Sequence, residues 1–147
     1  MKLRCLLTVS GILSTSMAWA AEDFGTLEEA QGIASRMTEI IQAGGVDAGI
    51  NAMHDDAEPF AASALGIHVF EDGIIVADNR EPELLATSYE EVADLTGEPM
   101  WPRIVAAADA SGDAILEWYH YDTEAEYTYA CHSEWAQPGS TIVMVCR

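Results

Sequence analysis

Basic residues are nearly absent from this chain. Its 147 residues include 25 aspartates and glutamates but only 6 lysines and arginines, so the formal net charge is −19 at pH 7. Such a surface repels the phosphates of nucleic acids and anionic lipid head groups, which excludes both as partners. Two interpretations of the acidity remain open. In the first, dense carboxylates keep a protein hydrated in a salty medium, and we favour this interpretation because the acids are spread along the chain. In the second, the carboxylates attract cationic ligands.

Long apolar runs are also lacking beyond the N-terminus. The first 20 residues have a basic start, a short apolar and serine-containing stretch, and the small-x-small sequence Ala18-Trp19-Ala20. This order is typical of a cleaved secretory signal, and the stretch is short for the alternative, a membrane anchor. We predict a signal peptide over residues 1–20 and one exported domain over 21–147. The mature protein would be periplasmic or secreted, without direct membrane insertion.

Cysteine is scarce, with three residues in the whole chain. Cys5 lies in the predicted signal, which leaves Cys131 and Cys146, and an isolated pair in an oxidising compartment usually forms a disulfide. The residues between them are centred on Pro138-Gly139, a strong turn signal. A hairpin symmetric about this turn places the two cysteines opposite each other on adjacent strands. We therefore predict a structural disulfide, not a zinc site or a catalytic thiol.

Hydrophobic periodicity predicts an α+β fold. Apolar residues recur at three- and four-residue steps from Thr26 to Ala43, which predicts a long helix capped by Thr26 and ended by Gly44-Gly45. Shorter helices are predicted at Val46–His54 and Pro99–Ala110. Strands are predicted at Gly66–Phe70, Ile74–Ala77, Ala114–Tyr121, Tyr127–Trp135 and Thr141–Arg147. Because strands and helices do not alternate, the sheet should be antiparallel.

An ordered set of short motifs runs through the predicted mature chain. It comprises the long helix, the Pro59-Phe60 step, the Asp72-Gly73 turn, the polar connection with Asn79, Pro82, Leu84, Asp94 and Gly97, the aromatic-x-aromatic Tyr119-His120-Tyr121, and Tyr129. This order resembles the single Cache domain, a PAS-like extracytoplasmic module that binds small molecules. The resemblance implies a long N-terminal helix packed on a five-stranded antiparallel sheet. It also implies a ligand site between the sheet and the connection over residues 78–97.

The chain departs from the Cache pattern at one position. Many members carry a lysine three residues before the late tyrosine, where this chain has Glu126. A role for that lysine in anchoring an acidic ligand is therefore not carried over.

The resemblance implies a small carboxylate, amino acid or amine as ligand. Arginine suits a carboxylate because its guanidinium binds bidentately, and tyrosines offer hydroxyls and ring faces. The alternatives are surface ion pairs for the arginines and plain core positions for the aromatic residues. A one-residue shift in register would instead turn Trp118 and His120 toward the pocket. The candidate ligand-binding residues are Arg80, Trp101, Arg103, Tyr119, Tyr121 and Tyr129.

Known catalytic motifs are missing from the sequence. There is no metalloprotease, nucleophile-elbow, phosphate-loop or dinucleotide motif, so we predict a binding protein without a cofactor. The favoured ligand is a small carboxylate or amino acid, and the signalling partner would be a membrane-bound receptor or transporter. Two rivals remain. One is a secreted metal-dependent enzyme built on His68, His120 and His132; the other is a structural protein-interaction domain whose pocket is filled by its own side chains.

Overall fold

The computed structural model of the chain describes residues 25–55 and 57–147. The predicted signal peptide, residues 1–20, lies outside this range. The described helices are α1 (Leu27–Gly44), α2 (Val46–Asp55) and α3 (Met100–Asp109), and the strands are β1 (Gly66–Glu71), β2 (Ile74–Asp78), β3 (Asp113–Tyr119), β4 (Glu126–Gln137) and β5 (Thr141–Cys146). In this part of the chain, no helix combines the length and the apolar character needed to cross a bilayer.

Helix α1 begins and ends where its local sequence predicts. The Thr26 side chain accepts a hydrogen bond from the Glu29 N–H at 3.1 Å, and the Glu29 carboxylate accepts one from the Thr26 N–H at 2.6 Å. This reciprocal capping box satisfies two backbone donors at the start of the helix. At the other end Gly45 has a φ of 81°, and its N–H bonds to the carbonyl of Ile41. Its buried face comprises Ala30, Ala34, Met37, Thr38 and Ile41.

The five strands form one sheet in the order β2-β1-β5-β4-β3, and every described pair is antiparallel. Helices α1 and α2 cover one face, where Ile67 and Val143 enter the core. Helix α3 and the chain between β2 and α3 cover the other face, where Phe70 and Met144 are buried. The structure therefore confirms the predicted α+β class with an antiparallel five-stranded sheet.

The hairpin of β4 and β5 has the register that its cysteines predict. Cys131 is the direct partner of Cys146, and the two are joined in a disulfide. Gly139 in the turn has a φ of 74°, a conformation that glycine adopts without steric cost. Both cysteines are buried, and the disulfide joins β4 to β5, the central strand of the sheet.

Residues 79–99, hereafter the β2–α3 connection, tie the two edge strands together. On β2, the Ile75 N–H donates to the Thr87 carbonyl at 3.1 Å, and the Ile75 carbonyl accepts from the Ala86 N–H at 2.8 Å. On β3, the Glu117 carbonyl accepts from the Leu95 N–H at 3.0 Å. The β2–α3 connection thus spans the face of the sheet opposite α1 and covers the core on that face; we call this cover the roof.

Candidate ligand-binding site

A small cavity lies under this roof. Its walls combine apolar side chains, the disulfide and several polar tips, namely His68, Glu81, Tyr89, Met100, Leu116, Trp118, Tyr121, Tyr129, Cys131, Met144 and Cys146. The space open to the centre of a water molecule is about 20 Å³. That is enough for about one ordered water, which needs on the order of 10–15 Å³ by this measure. A mostly apolar pocket with few convergent polar groups is the usual form of a small-molecule site.

A buried ion pair lies at the polar end of the cavity, where His68 is the member that lines it. His68 on β1 and Asp78 on β2 are directly paired, and His68 Nδ1 lies 2.8 Å from Asp78 Oδ2. Burial alone would lower the pKa of His68, but the charge and hydrogen bond of Asp78 outweigh it and raise that pKa. Burial likewise opposes ionisation of Asp78, yet His68 and two backbone N–H groups lower its pKa. Both pKa shifts therefore favour the charged pair of imidazolium and carboxylate.

Asp78 also fixes the start of the β2–α3 connection. Its Oδ1 accepts hydrogen bonds from the backbone N–H groups of Arg80 and Glu81, each at 2.8 Å. A carboxylate that bonds the next two or three backbone N–H groups stabilises a local turn. This turn brings the Glu81 side chain into the cavity wall.

Glu81 is the carboxylate that lines the cavity directly. One of its oxygens accepts a hydrogen bond from the indole N–H of Trp118 at 3.3 Å. Burial raises the pKa of Glu81, and the bond from Trp118 offsets only part of this effect. Glu81 and Tyr121 also line an adjoining open groove of about 340 Å³, so these two side chains lie between the cavity and that groove.

Tyr121 packs closely against β1 because Gly66 has no side chain at the point of contact. Its hydroxyl lies 3.2 Å from His68 Nε2, and a Cβ atom at Gly66 would lie only 2.1 Å from that hydroxyl oxygen. The Tyr129 hydroxyl accepts from the Tyr121 N–H and donates to the Tyr119 carbonyl, both at 3.1 Å. Burial raises the pKa values of Tyr121 and Tyr129, so both phenols stay protonated.

The predicted aromatic strand reaches the cavity with an unexpected spacing. Trp118 and Tyr121 line it, whereas Tyr119 is 47% exposed. Strict alternation would put residues two apart on one face. Strand β3 ends at Tyr119, however, and the chain then turns, so the side chain of Tyr121 no longer follows the alternation of the strand. Neither of the two registers considered from the sequence describes this arrangement.

Two of the other predicted residues border the cavity from outside. Arg80 and Tyr119 line the adjoining groove. The Arg80 guanidinium lies 5.4 Å from the centroid of the Tyr121 ring and forms an ion pair with Asp122 at 2.6 Å. Arg80 therefore stabilises Tyr121 from the solvent side by a cation–π contact.

Trp101 and Arg103 do not line this cavity. Trp101 packs on Phe70, with ring centroids 5.5 Å apart. Arg103 donates to Asp94 Oδ2 at 2.6 Å and to the carbonyl of Ile115 on β3. Burial opposes ionisation of Asp94, but hydrogen bonds from Thr96 and Arg103 hold its pKa well below its usual range. Arg103 thus anchors the β2–α3 connection to the sheet edge.

The three histidines of the metal hypothesis do not meet. His68 pairs with Met144, which belongs to the core on the face covered by the β2–α3 connection. His132 pairs with Val145, which belongs to the core on the opposite face, covered by α1. The two ring nitrogens of His132 face Asp113 and Glu134, on different sides of the ring. Among residues 25–55 and 57–147, no group of three or more histidine, cysteine or acidic side chains is arranged to hold a metal ion.

Comparison by sequence finds no matching protein-family model and no matching curated protein. Solved structures do share the fold. A periplasmic sensor domain of a chemotaxis protein superposes with a TM-score of 0.58 at 15% identity, covering 82% of this chain and 88% of that chain. A methyl-accepting chemotaxis protein from Vibrio parahaemolyticus gives a TM-score of 0.55 at 12% identity, covering 82% of this chain and 81% of that one.

A third solved structure is a Cache chemosensory domain that recognises carboxylic acids. It superposes with a TM-score of 0.58 at 14% identity, covering 82% of this chain and 86% of that chain. The fold of this chain is thus that of the extracytoplasmic sensor domains, and within them it is Cache-like. The family resemblance seen in the sequence is confirmed at the level of the fold.

Proposed function

We propose that this chain is an exported sensor domain that binds a small carboxylate or amino acid. The observation that carries the proposal is the convergence of His68, Glu81 and Tyr121 on an apolar cavity between the sheet and the β2–α3 connection. The Cache chemosensory domain with the same fold recognises carboxylic acids, which supports this ligand class. The role is binding, not catalysis, and the proposed partner is a membrane-bound receptor or transporter that reads the ligand state.

The polar end of the cavity supplies donors for a carboxylate. Asp78 raises the pKa of His68 and so favours the imidazolium, in which Nε2 donates to the Tyr121 hydroxyl oxygen. Tyr121 in turn donates its hydroxyl proton to a ligand oxygen. A hydroxyl polarised by a cation is a stronger donor than an isolated one, because hydrogen bonds in a chain polarise one another. The hydrogen bond from His68 thus strengthens Tyr121 as a donor to the ligand.

A ligand larger than water requires the roof to move. The cavity has room for about one water, whereas acetate has four non-hydrogen atoms. One long contact that closes the cavity is the 3.3 Å bond between Glu81 and Trp118, and Glu81 also lines the open groove. We propose that ligands enter from this groove past Arg80 and displace the contact between Glu81 and Trp118.

Isothermal titration calorimetry tests the proposal with a panel of acetate, propionate, succinate and alanine. We expect Tyr121→Phe to weaken binding at least about tenfold, because a hydrogen bond to a charged group is worth about 1.5–3 kcal/mol. Tyr119→Phe is the matched control, since that side chain is exposed and outside the enclosed cavity. Arg80→Ala should weaken binding less than Tyr121→Phe, and Arg103→Ala should act on stability. Equal affinities of wild type and Tyr121→Phe would contradict the assignment.

Native mass spectrometry of the gently purified protein gives an independent readout. A non-covalent adduct that is lost on denaturation would support a binding function, and its mass would indicate the ligand. If no panel compound binds and no adduct is found, the structural-domain alternative gains support.

A further inference from the structure

We propose that Glu81 makes this site selective for short monocarboxylic acids, each of which binds together with one proton. The inference rests on the proposed function and names the ligand class and the residue that selects it. Glu81 lines both the cavity and the adjoining groove, so an anion that enters from the groove passes its carboxylate and then lies next to it.

The charges around Glu81 leave it as the uncompensated acid of the cavity. Within the described part of the chain Glu81 forms no ion pair, whereas His68 is paired with Asp78 and Arg80 with Asp122. Each of these pairs is close to neutral as a whole. The other groups that face Glu81 are Glu83 in the connection and the protonated phenols of Tyr89, Tyr121 and Tyr129, with His120 and Glu124 farther out in the groove.

The cavity cannot hold the ionised carboxylate of a ligand next to ionised Glu81. Two like charges that share a poorly solvated site favour protonation of one of them, because their repulsion is weakly screened there. The walls of Met100, Leu116 and Met144 provide such an environment. One proton shared between Glu81 and the ligand removes the repulsion and forms a hydrogen bond between the two carboxyl groups. Burial already raises the pKa of Glu81 in the empty site, which lowers the cost of this protonation.

Two selectivities follow from one shared proton. A monocarboxylate needs a single proton, so its affinity should fall by up to tenfold for each unit of pH above the range in which free Glu81 titrates. A dicarboxylate brings a further charge into the same apolar walls and should bind more weakly at every pH. An amino acid follows a different route, because its ammonium group could pair with ionised Glu81 without any proton uptake.

The test is calorimetry of the wild-type domain with propionate between pH 5.5 and 7.5, in buffers with different ionisation enthalpies. The expected result is uptake of close to one proton per propionate and weaker binding at higher pH. At pH 7.5, Glu81→Gln should bind propionate more tightly than wild type does, and its affinity should depend less on pH. Glu91→Gln is the matched control, because Glu91 is exposed in the same connection and lines neither the cavity nor the groove.

Each contrary outcome has a distinct meaning. Propionate binding without proton uptake would overturn the inference and leave the proposed function standing. Proton uptake that persists in Glu81→Gln would come from another group and would overturn the assignment to Glu81. Tighter binding of alanine or succinate than of propionate would overturn the selectivity. No binding of any of these compounds at any pH would overturn the proposed function as well. Circular dichroism checks that Glu81→Gln folds. If this variant does not fold, the buffer series on the wild-type protein still decides whether propionate binds together with a proton.

Discussion

The contact between Gly66 and Tyr121 gives a sharp prediction about the site. An alanine Cβ at position 66 would lie 2.1 Å from the Tyr121 hydroxyl oxygen and 2.5 Å from the ring carbon that bears it. Ordinary contact begins near 3.4 Å, so Tyr121 would have to retreat from β1 by at least about 1 Å. Because His68 is also on β1, this retreat lengthens the 3.2 Å bond between His68 and Tyr121. Gly66→Ala should therefore disturb stability and ligand affinity together.

The magnitude follows from three effects. Overpacking a buried site costs about 1–3 kcal/mol, and weakening one buried hydrogen bond costs about 1 kcal/mol. The lower flexibility of alanine in the unfolded chain offsets about 0.5–1 kcal/mol. The expected net loss in the free energy of unfolding is about 1–3 kcal/mol. Gly66 does not have a positive φ, so backbone strain adds nothing.

Urea denaturation measures this loss, with Gly32→Ala as the matched control. Gly32 lies on the exposed side of α1 with no atom within 4 Å of a built Cβ, so alanine there should stabilise the protein by about 0.5–1 kcal/mol. A double-mutant cycle with Tyr121→Phe isolates the contact, because phenylalanine lacks the atom at 2.1 Å. Gly66→Ala should cost less when it is combined with Tyr121→Phe than in the wild-type protein. An equal cost in both backgrounds, or no cost at all, would refute the reasoning.

Two further predictions concern stability. Replacing both Cys131 and Cys146 by serine should lower the free energy of unfolding by about 3 kcal/mol, the value for a loop of about 15 residues. Reductant should have the same effect on the wild-type protein. An unchanged urea midpoint would contradict a stabilising role of the disulfide. The ion pair of His68 and Asp78 should contribute most between about pH 4 and 6.5. The His68 contribution is complete below 6.5 and is lost as pH rises through its raised folded pKa, whereas the Asp78 contribution is present above 3.8 and is lost as pH falls through its lowered folded pKa. Urea midpoints from pH 3 to 8 measure this, and Asp78→Asn should flatten the profile; identical profiles would argue against the pair.

Local signals in the sequence were sufficient to predict most of the fold. The Thr26 cap, the Asp72-Gly73 turn and the equal spacing of the two cysteines about Pro138-Gly139 each depend on residues close in the chain. Such signals determine where a helix starts or which residues of a hairpin are opposite. The predicted bounds of α1 and β5 accordingly differ from the structure by one residue at most at each end.

The polar centre of the site was not predicted, because it depends on an irregularity. A hairpin symmetric about Asp72-Gly73 pairs Phe70 with Ile75 and would pair His68 with Ala77. The register shift between Val69 and Phe70 instead brings Asp78 opposite His68. A β-bulge inserts one residue and turns the following side chains to the other face, and the sequence carries no clear signal for it. Sequence reasoning therefore treated His68 only as a metal candidate.

The partner of Arg103 was equally hidden. An arginine in an acidic chain has many possible partners, and only the folded connection shows that Asp94 is the one it contacts. Tyr121 and Tyr129 were predicted because the aromatic pattern is local, whereas the cavity roles of Glu81 and Trp118 depend on two distant segments meeting.

The β2–α3 connection has a consequence for self-association. Sheets commonly join through unpaired backbone groups on their edge strands. In this chain the N–H and carbonyl groups of Ile75 on one edge and of Glu117 on the other already bond to the connection. A second copy could lengthen the sheet at these positions only by lifting the segment that roofs the cavity. The connection that covers the cavity therefore also shields both edges of the sheet, so a closed connection would protect the protein from edge-to-edge aggregation.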